Sequence, residues 1–458
     1  MSDRFDPRKR IHYIDYASKR RKKIMDPVTV GICGIGVLLI LFVAGVPVSY
    51  AMAIAGFIGF AYLTSFESAL SMISVELFDN FGSYSLTVIP TFVLMGALAF
   101  SAGITGRLYD AGFTMFGRVR GGLAYASVAA CAGFAAICGS TSATAASMGK
   151  VALPEMKKHG YDDSLSTGCI ASAGTLGILI PPSTIFIIYG ILTEQSIGKL
   201  FIAGVLPGLL LAALFCCTIT YLIWRNPALS PPGFSTTLRQ KLSGLSGLIE
   251  TLVLFGLVMG GLFTGWFTAT QAGAAGAASV LLIALARKRI GWSGILDAAK
   301  ETVVIACMVL ILVTGALIFG RFMAVTNLTF VLADWLRALP IPSWCVMGLI
   351  IVIHFIGGCF MDSFAMIVLT IPIVYPVVTA LGYDPIWFGV LIVVICEMGV
   401  ITPPVGLNLF VIKGLLPDVS IEVIIKGVTP FIFAIAVFTA LMMLFPQIAL
   451  FLPSFMTY

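Results

Sequence analysis

Two Pro-Pro pairs interrupt long apolar runs: Pro181-Pro182 in GILIPPST (177–184) and Pro403-Pro404 in GVITPPVG (399–406). A proline inside a helix removes a backbone hydrogen bond and clashes with the preceding turn, which costs about 3 kcal/mol. Adding 222 to a position in the first half carries one pair onto the other. The same shift carries Pro154 onto Pro376, Gly160-Tyr161-Asp162 onto Gly382-Tyr383-Asp384, Gly177 onto Gly399 and Ser140 onto Asp362, without a gap. At a slightly different offset GALAF (96–100) matches GALIF (315–319), and GVLP (204–207) matches GVTP (427–430). Such a repeat signals two halves related by pseudo-two-fold symmetry, each with a helix broken at the same place.

The composition says where those halves reside. Of 458 residues, 59% are hydrophobic and 10% charged, against about 25% charged in a soluble domain. The chain is therefore expected to be an all-α polytopic membrane protein in a lipid bilayer. Its runs are long and continuously apolar, suited to helices of about 20 residues rather than to alternating barrel strands. The net charge of +6 sits largely in loops and gives no case for nucleic acid. The ten cysteines have no metal-ligand spacing, and His12, His159 and His354 form no cluster. Residues 1–24, ending ASKRRKKI, are too basic and polar for a cleavable signal peptide.

The segments 121–158 and 343–380 each hold two short apolar runs joined by a polar tip, GSTSATAAS in the first and GGCFMDSF in the second. They read as re-entrant hairpins, tolerated at membrane depth only inside protein or against a water-filled cavity. The organisation expected is a basic extension (1–24), a first repeat (25–224) with a broken helix at 165–192, a cytoplasmic linker (225–244), and a second repeat (245–458) with a broken helix at 386–414. Five crossings per unit make the second repeat inverted. Positive charge agrees: Arg107, Arg118, Arg120, Lys150, Lys157 and Lys158 flank the first hairpin, and Arg225, Arg239, Lys241 and 287–289 mark further cytoplasmic loops. The second hairpin is followed by LGYDP, which has no basic residue. Glu67, Glu76 and Asp79 read as an acidic loop on the other side, whereas the basic tail before Met25 points the opposite way from strict alternation. The inverted repeat predicts that the two tips meet near the bilayer midplane from opposite sides.

A broken helix exposes free N–H groups at one half-helix start and free carbonyls at the other half-helix end. Small residues and oxygen side chains at these places point to sodium. One site is expected from Ser140, Thr141, Gly174, Thr175 and Gly177, and a second from Gly358, Asp362, Glu397, Gly399 and Thr402. Asp362 is an acid inside an apolar stretch, a functional candidate by default. A substrate between the two would meet Ser142, Thr144, Ser183, Thr184, Ser363 and Asn408. His354 reads as helix packing and Lys413 as an interfacial, snorkelling side chain.

GSTSATAASMGKVALPEMKKHGYD, GTLGILIPPS, GCFMDSFAMIVLTIPIVYPV and GVITPPVGLNLFVIKG together resemble the large membrane subunit of tripartite ATP-independent periplasmic (TRAP) transporters, from about Met25 to the C-terminus. The resemblance implies an ion-transporter-superfamily-like elevator in the bacterial inner membrane. It implies sodium-coupled uptake of an organic acid, of the dicarboxylate or sialic acid class, with no cofactor beyond the coupling ion. It implies two partners, a small four-helix membrane subunit and a periplasmic substrate-binding protein. The small subunit is expected against 27–64 or 245–286. The binding protein is expected on loops 193–199, 321–342 and 381–385, where Arg321 and Arg337 stand. The extension 1–24 departs from the family pattern, whose chains commonly begin near Met25. There is no GxxxxGK[ST] loop for ATP. A stand-alone sodium/dicarboxylate carrier is the alternative of the same fold. A channel would be built by assembly around one pore, and an intramembrane enzyme would need a nucleophile with its base or a metal cluster.

Overall fold

The computed structural model describes residues 25–233, 238–338 and 340–456, so the basic extension and the conflict over its side lie outside the described residues. Among these there is no strand. The first half runs α1 (Pro27–Val43), α2 (Val48–Leu63), α3 (Phe66–Gly82), α4 (Val88–Ser101), α5 (Ile104–Phe116), the pair α6 (Gly122–Cys138) and α7 (Thr141–Lys158), then α8 (Asp163–Ala173), α9 (Leu176–Leu179), α10 (Thr184–Thr193) and α11 (Ile197–Arg225). The second half runs α12 (Leu238–Phe263), α13 (Ala269–Ala286), α14 (Trp292–Thr326), α15 (Leu328–Ala338), the pair α16 (Ser343–Phe360) and α17 (Ser363–Ala380), then α18 (Pro385–Val400), α19 (Leu407–Leu415), α20 (Ile421–Leu444) and α21 (Gln447–Leu450). Six helices among the described residues are long and apolar enough to cross a membrane, or eight if each bent pair is one span.

The repeat is carried by capping chemistry. Gly160 and Gly382, at φ 77° and 84°, end the second arm of each hairpin in the left-handed region that glycine enters without a Cβ clash. Two residues on, Asp162 and Asp384 start the next helix, with carboxylates accepting from the N–H of Ser164 (2.9 Å) and of Ile386 (2.8 Å). Each GYD is thus a stop followed by a start. Seven helix pairs begin 221 to 224 residues apart, from α2 with α13 to α11 with α20. Both Pro-Pro bonds are cis.

The halves differ most clearly before the hairpins. The acidic segment expected as a loop is helix α3, because Ser65 caps it by accepting from Ser68 N–H at 3.1 Å. Helices α3 and α4 meet at a 54° bend, whereas their counterpart α14 is one helix of 35 residues. The short helix α15 occupies part of the loop expected at 321–342. The linker expected at 225–244 gives way to α12 from Leu238 onward.

Hydrogen bonds along α11 show that the repeats are inverted. This helix has 29 residues, about 43 Å at 1.5 Å per residue. At its C-terminal end, Arg120 donates to the carbonyls of Pro227 and Ser230, and Asp162 N–H to that of Leu229, so the open end of the first hairpin lies there. At its N-terminal end, Tyr189 Oη donates to Pro385 O at 2.6 Å and Gln195 Nε2 to Tyr375 Oη at 2.9 Å, so the second hairpin opens there. The first end is the basic face. On the opposite side, Glu76 of α3 and Arg321 near the end of α14 form an ion pair of 2.7 Å.

The packing has two parts. Helices α2 and α4 lie along α14, α13 lies on α4, and α12 lies on α5. Their outer sides expose Ile54, Ile58, Leu282, Val303 and Val304 to the hydrocarbon. The two hairpins and broken helices form the other part, with α20 against α8 and α16 against α18. Residues 165–190 and 386–400 are buried without interruption. The irregular backbone of the first break, 180–183, is thereby covered by protein, as membrane depth requires, whereas Pro404 and Val405 of the second break are exposed.

Candidate functional site

The tips are built by helix starts. Ser140 and Asp362, matched in the repeat, are the N-caps of α7 and α17: Ser140 Oγ accepts from Ala143 N–H at 3.4 Å, and Asp362 Oδ1 from Ala365 N–H at 3.0 Å. The next residue in each hairpin donates its hydroxyl to the same carboxylate. Thr141 Oγ1 lies 2.7 Å from Glu397 Oε2, and Ser363 Oγ lies 2.7 Å from Glu397 Oε1. Glu397 is 2% exposed and belongs to α18, just before the second break. One side chain therefore ties both tips to one broken helix. A small cavity of about 30 Å³ lies there, lined by Ser140, Thr141, Asp362, Ser363, Glu397 and Leu407.

Beside it opens a cavity of about 400 Å³ between the hairpins and the helices α4 and α14. Its polar wall is made by Ser140, Ser142, Ser147, Lys150, Thr184, Glu301 and Asp362. The first turns of four helices reach it: Ser142 of α7, Thr184 of α10, Phe364 of α17 and Leu407 of α19. Each helix start carries about half a positive charge and unsatisfied N–H groups. Four of them converging make the region attractive to a carboxylate.

Oxygen ligands for a cation lie behind. Thr144 Oγ1, Ser172 Oγ and Asn408 Oδ1 are buried side-chain oxygens with no hydrogen-bond partner among the described residues. An oxygen left unpaired costs about 1–3 kcal/mol, and a hard cation with oxygen ligands would remove that cost. These atoms belong to one neighbourhood. Asn408 Nδ2 donates to Ala171 O at 3.1 Å, and a Cβ added to Gly177 would stand 2.5 Å from Ser140 O and 2.7 Å from Thr144 Oγ1. The second half has the matching close approach, since a Cβ on Gly399 would stand 2.5 Å from the Gly358 carbonyl carbon. The donor set is one of hydroxyl, amide and backbone oxygens, the kind that suits a hard cation.

The other expected residues fall into two groups. Thr175 and Thr402 turn their hydroxyls back on the helices that precede them, α8 and α18, to Ser172 O and Met398 O, both at 2.6 Å. Gly174 lies against Ala145 of α7. Thr184 Oγ1 donates to Gly139 O at 2.7 Å, and Ser183 caps α10 by accepting from Phe186 N–H at 3.3 Å. Of the residues expected on the substrate, Ser142 and Thr184 line the larger cavity and Ser363 the smaller; Thr144, Ser183 and Asn408 are buried behind them. His354 packs inside the second hairpin, with Nδ1 2.8 Å from Ile350 O and Nε2 2.8 Å from Thr370 Oγ1. Lys413 donates to Pro417 O and Val419 O, both at 2.7 Å, closing the chain after α19 instead of snorkelling. Residues 321–342 are not an open loop: they include the end of α14 and all of α15, and Arg321 is held by Glu76. The side chain of Arg337 lies outside the described residues.

Sequence reasoning missed Lys150 and Glu301 as cavity residues. In the sequence Lys150 stands out only as one of the charges that flank the first hairpin. A signal existed for Lys150: Ser142, Ala146 and Lys150 stand four residues apart and form one stripe of α7 along the cavity. Lys150 Nζ lies 5.9 Å from the centroid of Phe100, a cation–π contact.

Comparison with known proteins places this architecture. Residues 35–448 match the family described as "Tripartite ATP-independent periplasmic transporter, DctM component". The chain belongs to the DctM family. It is 35% identical over 385 residues to the C4-dicarboxylate TRAP transporter large permease protein DctM of Pseudomonas aeruginosa, covering 84% of this chain and 90% of that one. It is 30% identical over 419 residues to the sialic acid TRAP transporter large permease protein SiaM of Vibrio cholerae, covering 90% and 96%. Both are large permeases, so this DctM chain is a transporter component and not an enzyme. Among solved structures it is similar to the Alcanivorax borkumensis YdaH transporter, with a TM-score of 0.61 over 83% of this chain and 89% of that one; at 15% identity this likeness is one of fold.

Proposed function

We propose that this DctM-family permease carries an organic anion inward across the bacterial inner membrane, driven by sodium, by an elevator movement of the hairpins and broken helices against α1–α4 and α12–α14. The observation that carries the reading is the convergence of four helix starts on a cavity of about 400 Å³, beside three buried unpaired oxygens. The helix starts supply positive potential for a carboxylate. The unpaired oxygens supply ligands for an ion whose binding would favour one position of the moving part. The basic face is the cytoplasmic one by the excess of Lys and Arg. The dicarboxylate and sialic acid classes are the substrates favoured, because the permeases of both kinds named above match along nearly their whole length.

A periplasmic binding protein would deliver the solute, and a small membrane subunit would widen the fixed part. The test is uptake into liposomes holding this chain and its small subunit. Substrate should accumulate only when sodium is outside and the loaded binding protein is added on the same side. Robust uptake of free substrate by this chain alone would favour an ordinary secondary carrier of the same fold. Conduction that neither saturates nor needs sodium would indicate a channel.

A further inference from the structure

We propose that Arg107, Arg287 and Arg289 form a binding site for the phosphate of an anionic phospholipid, at headgroup level on the basic face. The three arginines come from α5 and from the connection between α13 and α14, and all reach Glu250 of α12. Arg107 Nη2 lies 2.9 Å from Glu250 Oε2, Arg287 Nη1 2.7 Å from Oε1, and Arg289 Nη1 3.0 Å from Oε2. Glu250 is 5% exposed. One carboxylate against three guanidiniums leaves a formal charge of +2 at one point.

The donors also exceed the acceptors. A guanidinium carries five N–H groups. Arg107 gives one more to Ala102 O at 3.1 Å, but its Nε is buried without a partner. The Arg287 side chain is 49% exposed, so it retains donors for an outside ligand. A phosphate oxygen pair is the acceptor that guanidiniums take in bidentate fashion.

The surroundings favour a lipid over a free anion. Trp292, five residues after Arg287 and 74% exposed, opens α14; an exposed tryptophan at a helix start marks the membrane–water boundary. Leu282 and Leu285, at the end of α13, are 67% and 47% exposed, and would meet acyl chains. None of the three arginines lines the cavity of about 400 Å³. Helix α5 joins α4 to the first hairpin and packs on α12. A phosphate shared by Arg107 and the α13–α14 connection would therefore fasten the approach to the hairpin.

The experiment is native mass spectrometry of the detergent-purified complex of this chain with its small subunit, titrated with phosphatidylglycerol or with phosphatidylcholine. Phosphatidylglycerol should be retained in preference, and Arg287→Gln and Arg289→Gln should each weaken it about fivefold. Lys288→Gln, at an exposed neighbour outside the cluster, should leave it unchanged. Thermal melts identify folded variants, and Arg287→Lys, which keeps charge but loses the fork, should still weaken retention. Equal retention of the two lipids, or unaltered phosphatidylglycerol binding in folded Arg287→Gln, would overturn the site. Displacement of the lipid by millimolar inorganic phosphate would show a free-anion site and overturn the lipid assignment.

Discussion

Thr175 and Glu397 occupy the same position in the two repeats, 222 residues apart, and do opposite things. Thr175 sends its hydroxyl 2.6 Å back to Ser172 O, in the last turn of the helix that precedes it. Glu397, longer by two bonds, reaches out and accepts from Thr141 of one hairpin and Ser363 of the other. The caps show the same asymmetry, since Ser140 is neutral where Asp362 is an acid. Duplicated backbone thus supplies two equivalent tips, while the acidic chemistry sits on one side. Two glutamates at both positions would bring like charges together in a region of low dielectric, which disfavours ionisation of one of them. A single carboxylate, with its two oxygens, accepts from both tips.

The largest effect should come from Glu397→Ala. It leaves two hydroxyls without their acceptor in a buried site, and each buried polar group left unsatisfied costs about 1–3 kcal/mol. Sodium-driven uptake should fall by about two orders of magnitude, with a melting temperature several degrees lower and membrane insertion retained. If uptake in Glu397→Ala stays within a few-fold of the parent, the bridge between tips is dispensable and the comparison fails.

An intermediate effect should separate the caps. Ser140→Ala and Asp362→Ala each remove an N-cap, worth about 1 kcal/mol, so their thermal shifts should be similar. Their sodium dependence should differ: Asp362→Ala should raise the half-saturating sodium concentration about tenfold, and Ser140→Ala by less. Equal sodium curves would take Asp362 out of the ion site. The smallest effect should be Thr175→Ala, which loses one local hydrogen bond worth about 1 kcal/mol and should keep most uptake. A loss as deep as that of Glu397→Ala would make the two halves functionally equal.

Much of the fold was legible in the sequence because it is written in local, periodic terms. Apolar runs of spanning length, the polar tips, the GYD punctuation and the Pro-Pro breaks each act within a few residues of themselves, and the 222-residue register made them reinforce one another. Helix α3 escaped this reading because Glu67, Glu76 and Asp79 look like a solvated loop. They are tolerated in a helix because its carboxylate at 76 is taken by Arg321 of a distant element.

The sequence by itself determined that the chain lives in a membrane, that it is a doubled unit, and which residues stand at the tips and breaks. Only the tertiary structure decided which of these meet. Thr141 and Glu397 are 256 residues apart and lie 2.7 Å from each other; no local pattern encodes that distance. The same holds for the cavity pairing α7 with α14, where Lys150 and Glu301 face one space, and for the three arginines on Glu250. Capping and periodicity are energies of neighbouring residues and so can be read along a chain. A bridging carboxylate or a shared cavity is an energy of packed elements, and exists only once the two repeats have closed on each other.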